Sequence, residues 1–217
     1  IRISHRLSAP DSGNANTKTV YIYPDNNSDP ITIPSYKSSD IIALQLKNVK
    51  KGKGYISNDK LVEEAMDFSK KNYYPLETLQ NTMKRIVFPE NFKESERFNL
   101  TKEEREFILF SMQNLPKNAG YDPKKYPDGY CKFFMYGDTT ETIPENIKIY
   151  NKVGDAYGTL IDCAYITDTE KGIEFMVSAT LLVNKNNVFN DGIYEYDTIG
   201  FPFLAQLGRE LYQQNLN

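Results

Sequence analysis

The chain has 217 residues, 40% of them hydrophobic, with 16 Tyr, 12 Phe and no Trp, so it is long enough for one domain with an aromatic-rich core. Its formal net charge of −3 leaves no basic footprint for nucleic acid, and the Lys47 to Lys53 cluster reads as a local, solvated loop. Two cysteines, Cys131 and Cys163, and the single histidine, His5, exclude a Cys cage and a His-based zinc site; the two thiols read equally as one disulfide or as two buried free groups.

No apolar run reaches the ~20 residues of a membrane span, so no span is expected. No signal peptide is visible. The chain opens on Ile1-Arg2-Ile3, which reads as the start of a fragment or a processed product.

The first elements are short. Thr19 to Tyr23 and Ile31 to Ile33, separated by a Pro/Asn/Asp-rich stretch, predict a small hairpin with a long loop. Ser39 to Val49 fits either a strand or a helix. At Asn58 or Asp59 an Asx cap followed by Leu61, Val62, Ala65, Met66 and Phe68 predicts a helix. A second helix is predicted from Pro75 to Val87, and a third from the capping box Thr101-Lys102-Glu103-Glu104 to Leu115-Pro116. Tyr130 to Tyr136 is an apolar stretch read as a strand or a short buried segment.

The remainder alternates as sheet. Lys148 to Gly154, Thr159 to Ile166 and Ile173 to Val183 predict three strands joined by tight turns at Asp155–Gly158 and Asp168–Gly172. Phe201-Pro202 opens a last helix with Phe203, Leu204, Leu207 and Leu211 on one face. The expectation is an α+β protein, an antiparallel sheet flanked by helices. It divides into residues 1–57, a hairpin-containing segment, and residues 58–217, helices followed by strands and a C-terminal helix, together one compact unit and a partial domain.

With one histidine, a Ser-His-Asp or Cys-His arrangement is not expected, and no phosphate-cradling glycine loop or dinucleotide fingerprint occurs. No cofactor is expected. What remains is histidine-free chemistry, of which serine activated by lysine is the leading form. The short motif Ser57-Asn58-Asp59-Lys60 spells Ser-x-x-Lys and Ser12-Gly13-Asn14 spells Ser-x-Asn, but a cap serine with a solvent-facing lysine accounts for the first. Asp155 and Asp162 read as a turn residue and a strand-edge partner for lysine, or else as a carboxylate pair. Tyr121, Tyr126, Tyr130, Tyr136, Tyr194 and Tyr196 read as tiles of a core rim, or as stacking surfaces for sugars.

Lys152-Val153-Gly154, with Tyr157-Gly158, Asp162 to Ile166, Gly172 to Phe175 and the helix from Phe203 to Tyr212, resembles the C-terminal part of the penicillin-recognising serine hydrolases, the class A β-lactamases and transpeptidases. The likeness extends over residues 75 to 213. It implies a cleft wall in which Lys152 is the electrostatic strand lysine and Val153 and Gly154 border the substrate, with Val153 replacing the family's Thr or Ser hydroxyl. It further implies a β-lactam or peptidoglycan-like substrate and a periplasmic or cell-envelope setting. In that family Ser-x-x-Lys and Ser-x-Asn come upstream of the strand motif, in the order opposite to Ser57 and Ser12. The chain alone is therefore expected to be inactive, and to form a homodimer or keep a missing N-terminal half. The alternative is a non-catalytic envelope protein binding a glycan, peptide or protein.

Overall fold

The computed structural model describes residues 1–3, 17–25, 28–37 and 43–216. The fold is α+β. Its centre is an antiparallel meander of three ten-residue strands, β7 (Ile147–Ala156), β8 (Thr159–Asp168) and β9 (Ile173–Leu182), in the order β7-β8-β9. Among the described residues, six short strands and two long helices come before it. These are β1 (Val20–Ile22), β2 (Ile31–Ile33), β3 (Lys50–Lys51), β4 (Gly54–Ser57), β5 (Lys60–Val62), β6 (Met66–Asp67), α1 (Leu76–Val87) and α2 (Lys102–Gln113). A kinked turn, α3 (Phe133–Tyr136), precedes the meander. The short β10 (Val188–Phe189) and the closing helix α4 (Phe201–Gln214) follow it.

The central strand explains the layering. Along β8, Leu160, Asp162, Ala164, Ile166 and Asp168 are buried on one face and Cys163 on the other. A strand covered on both faces reads as a nearly continuous apolar run, and Leu160 to Ile166 does so apart from Asp162. One face meets Phe133, Phe134, Leu204 and Tyr212 from α3 and α4. The opposite face carries Cys163 against Met83 and Val87 of α1, with Phe88 edge-on to Tyr165 at 5.1 Å. Burying each such side chain contributes about 1.5–3 kcal/mol, and two layers on one strand make β8 the spine of the molecule. β7 and β9 are the sheet's edges, and α2 packs beside β7.

The turn between β7 and β8 has only Tyr157 and Gly158 at its centre, both with positive φ (53° and 76°), as a two-residue hairpin of the primed type requires. Its tip is held from both sides. Lys71 Nζ donates to the Tyr157 hydroxyl at 3.0 Å, and Phe68 packs edge-on to the Tyr157 ring at 5.5 Å. Gly158 N donates to the Tyr196 hydroxyl at 2.7 Å. The second turn is organised by Asp168. Its Oδ1 accepts from the backbone N–H of Glu170 and Lys171 and from Asn146 Nδ2, and Oδ2 accepts from the Tyr212 hydroxyl at 2.5 Å. These bonds, the Tyr212 one foremost, hold its carboxyl down at about 2.

The hairpin β1–β2, helices α1, α2 and α4 and the three-stranded meander lie where the sequence places them. Thr101 caps α2 through a reciprocal box with Glu104. Two local expectations are corrected. Residues from 58 onward do not form a helix: Asn58 and Asp59, both at positive φ, are the turn of the β4–β5 hairpin, in which Ser57 stands opposite Lys60. Asn and Asp tolerate the left-handed region, so the signal read as a helix cap is here a turn signal. β4 also pairs in parallel with β10, and Phe68 stacks edge-on against Phe189 at 5.2 Å. Of the two readings of Tyr130 to Tyr136, the strand fails and the short buried segment holds: a 3-10 turn followed by α3, kinked at Phe134 (ψ 136°) and Met135 (φ 69°), with Phe133, Phe134 and Met135 buried. Residues 43–46 carry neither a strand nor a helix, and the rest of the apolar stretch before them, like His5 and Ser12-Gly13-Asn14, falls outside the described residues.

Candidate functional site

The site is built around a polar network where an apolar core is expected. Lys132 lies inside the run Cys131-Lys132-Phe133-Phe134-Met135 and is 1% exposed. Its ammonium has three protons and meets three acceptors: Met112 O at 2.6 Å, Ile149 O at 3.0 Å and Asn151 Oδ1 at 2.8 Å. Met112 belongs to the last turn of α2, whose carbonyls have no intrahelical partner, so the buried cation ties the negative end of that helix to β7. Asn151 passes the network on. Its Nδ2 donates to Cys131 O at 2.9 Å and to the Asp162 carboxylate at 3.0 and 3.2 Å.

Asp162, on β8, is fully buried and also accepts from Phe134 N at 3.3 Å, at the kink itself. Burial pushes its carboxyl up to about 7, against the pull of the Asn151 and Phe134 bonds. Burial likewise lowers Lys132, to about 8. A cation, an amide and a carboxylate thus run from α2 through β7 to β8 and fix the backbone of residues 131–136.

That fixed segment is the wall between two hollows. One, of about 310 Å³, lies against Val153 and Asp155 of β7 and is closed by Cys131, Phe133, Asp197 and Phe201. The other, of about 500 Å³, lies between the end of α2 and Tyr121, Tyr126 and Tyr130, and Cys131 borders it too. Cys131 and Cys163 are both free thiols, each raised by burial.

The residues singled out on β7 are distributed as follows. Lys152 is exposed and faces the α1 side of the sheet in register with Cys163; its ammonium donates back to Val153 O at 2.5 Å. Val153 points to the other face and lines the 310 Å³ hollow. Gly154 alternates back, and a Cβ there would stand 3.2 Å from the Ile161 side chain. Strand alternation therefore sends Lys152 and Val153 to opposite faces. Asp155 is exposed at the hollow, while Asp162 is buried behind it with Asn151.

The tyrosines divide as well. Tyr194 and Tyr196 accept from the Asn190 and Gly158 backbone and tile the β7–β8 tip, whereas Tyr121, Tyr126 and Tyr130 line the larger hollow. The sequence reading missed Lys132 and Asn151. The signal present was one lysine in an apolar run and one asparagine at an inward position of β7, both at odds with their surroundings.

No protein-family model, curated protein or solved structure matches this chain. Among the described residues, no group of three or more His, Cys, Asp or Glu side chains is placed to hold a metal, and no helix is long and apolar enough to cross a membrane.

Proposed function

We propose that this chain is the C-terminal portion of a β-lactamase- or transpeptidase-like serine hydrolase. The observation that carries the reading is the position of Lys152-Val153-Gly154. The three residues stand on an edge strand, Val153 lining a hollow and Lys152 exposed on the opposite face, and a tight turn, two further antiparallel strands and a closing helix follow in order.

An edge strand has backbone N–H and C=O groups free to pair with an extended amide. Lys152 adds an exposed positive charge beside it, suited to the carboxylate of a β-lactam or of a peptide terminus. Val153 supplies apolar contact where a hydroxyl would bind that carboxylate. In this reading the acylated serine and its lysine come from sequence upstream of Ile1, in an envelope protein.

Ser57 is not assigned as that serine: it stands in a hairpin opposite Lys60, an exposed residue. Incubating the chain with a fluorescent penicillin and mapping adducts by mass spectrometry is expected to show no stoichiometric label. Label on Ser57 would overturn this assignment. The coding sequence upstream of Ile1 is expected to carry Ser-x-x-Lys and then Ser-x-Asn, and an unrelated domain there refutes the enzyme.

The second reading is a non-catalytic envelope protein that uses the same fold for binding. Val153 in place of a hydroxyl and the tyrosine-lined hollow favour it.

A further inference from the structure

The hollow at the end of α2 has a composition that selects among ligands. Its volume, about 500 Å³, lies within the range of small-molecule sites, roughly 300–1,000 Å³. Tyr126 is half-buried at its back. Tyr121 and Tyr130 flank it edge-on, with centroids 5.4 and 4.9 Å away and ring planes at 68° and 90°, yet they are 57% and 58% exposed. Exposed tyrosine is suited to a ligand with both apolar C–H faces and polar edges. The floor is made by Asn114 and Leu115, which also border a smaller hollow of about 140 Å³ beside Lys132.

Two further facts narrow the class. No side chain lining the larger hollow is charged, so nothing there rewards a phosphate, a carboxylate or a basic peptide. The polar side chains at its end are Ser111, whose hydroxyl donates to Phe107 O and keeps its lone pairs, and half-buried Asn114; both suit a ligand that brings hydroxyl donors. A proline-rich peptide fits tyrosine grooves but offers few N–H groups to these acceptors. A sugar brings hydroxyl donors together with a ring face of C–H groups.

We propose that the hollow formed by Ser111, Asn114, Leu115, Tyr121, Tyr126 and Tyr130 is a binding site for a neutral saccharide, whose hydroxyls bond the Ser111 and Asn114 side chains while its ring packs on Tyr121 and Tyr130. The wall that carries Tyr130 is held by the Lys132–Asn151–Asp162 network, so the site is pre-shaped and pays little ordering cost. The proposal gives the binding reading its ligand class and does not depend on the hydrolase reading, which the penicillin experiment tests separately.

The test is titration of the whole chain with tri-N-acetylchitotriose, cellotriose and maltotriose, followed by tyrosine fluorescence and by amide chemical shifts. The chain has no Trp, so its emission reports tyrosine. At least one of the three is expected to saturate in the range of about 10 μM to 10 mM. Tyr121→Ala and Asn114→Leu are each expected to weaken that binding by roughly tenfold or more, with the thermal midpoint of Tyr121→Ala unchanged. Tyr194→Phe, at the distant hairpin tip, is expected to bind as the parent does. No saturable binding of any of the three overturns the proposal. So does binding that survives both variants, or binding of a proline-rich decapeptide at the same amides in place of the sugars.

Discussion

The side-chain amide of Asn151 donates to both oxygens of Asp162 across the β7–β8 ladder, at 3.0 and 3.2 Å, from a position diagonal to it rather than opposite. The same amide group accepts from Lys132 at 2.8 Å. One neutral residue therefore links two buried ionisable groups, and its removal harms both.

Asn151→Leu is expected to destabilise the chain by about 3–5 kcal/mol, because it leaves a buried ammonium short of an acceptor and a buried carboxylate short of a donor. Asp162→Asn, which keeps the shape and an acceptor for Phe134 N, is expected to cost no more than about 1–2 kcal/mol. Urea denaturation of both variants beside the parent gives the comparison. Equal losses would show that the network is not energetically coupled through Asn151.

The same network sets a pH dependence. Asp162 titrates near 7 in the folded chain against an ordinary value near 4, so the folded state holds a proton that the unfolded state releases. Its contribution is complete below about pH 4 and is lost as pH rises through 7. Lys132, lowered to about 8, works in the opposite direction: stability rises between 8 and about 10.5, where the unfolded chain still carries the proton. The two together predict a shallow minimum between pH 7 and 8, with limbs of at most about 1.4 kcal/mol per pH unit from each group. In Asp162→Asn the lower limb is expected to vanish, so this variant gains on the parent from pH 4 to 7. A difference that stays constant with pH would refute the assignment.

Asp168 acts with the opposite sign to Asp162. Its carboxyl is held down at about 2, so its contribution is present above about pH 4 and disappears as pH falls through 2. Tyr212→Phe removes the foremost of its bonds and is expected to soften the acid limb of unfolding between pH 4 and 2, as followed by circular dichroism. An unchanged acid limb would show that the Tyr212 hydroxyl is dispensable.

Helix α4 approaches α3 closely because position 208 has no side chain. A Cβ on Gly208 would stand 2.6 Å from Met135 N and 2.9 Å from Phe134 Cβ. Gly208→Val is expected to cost about 1–3 kcal/mol by overpacking, and to shift the Phe134 and Met135 amides in an NMR spectrum. Lys152→Ala, in contrast, removes an exposed side chain and is expected to leave stability within ~0.5 kcal/mol. Under the hydrolase proposal its loss shows only as weaker β-lactam recognition, in a protein that also contains the nucleophile.

What could be read from the sequence follows from how local each signal is. The meander, α1, α2 and α4 are written in periodicity and capping, as at Thr101 and Glu104, and those signals hold wherever packing agrees with them. The Asn58-Asp59 pair was ambiguous because the same residues serve a helix start and a primed turn; the parallel pairing of β4 with β10, over 130 residues away, favours the turn. The kink at Phe134 and Met135 has no local cause. Asp162 and Gly208, brought from distant parts of the chain, impose it. Val153 and the tyrosines, marked in the sequence, do come to line the two hollows. The candidate site was hidden at Lys132, since nothing in an apolar run announces a buried cation whose three acceptors lie up to 20 residues away.

The tip of the β7–β8 hairpin has a consequence for how the chain is made. A two-residue loop closes with little entropic cost, so β7 and β8 can pair as soon as both have left the ribosome. The groups that grip the tip lie on either side in time: Lys71 is 86 residues earlier and Tyr196 is 38 residues later than their partners. At a synthesis rate of ~5–20 residues per second, the segment around Phe68 and Lys71 waits several seconds for the hairpin, and the hairpin waits again for Tyr196. During that interval the strands β3 to β6 are short and have little of their own to bury. In the order of synthesis, then, the tip is gripped first by a segment that precedes it and only later, once Tyr196 is made, from its second side.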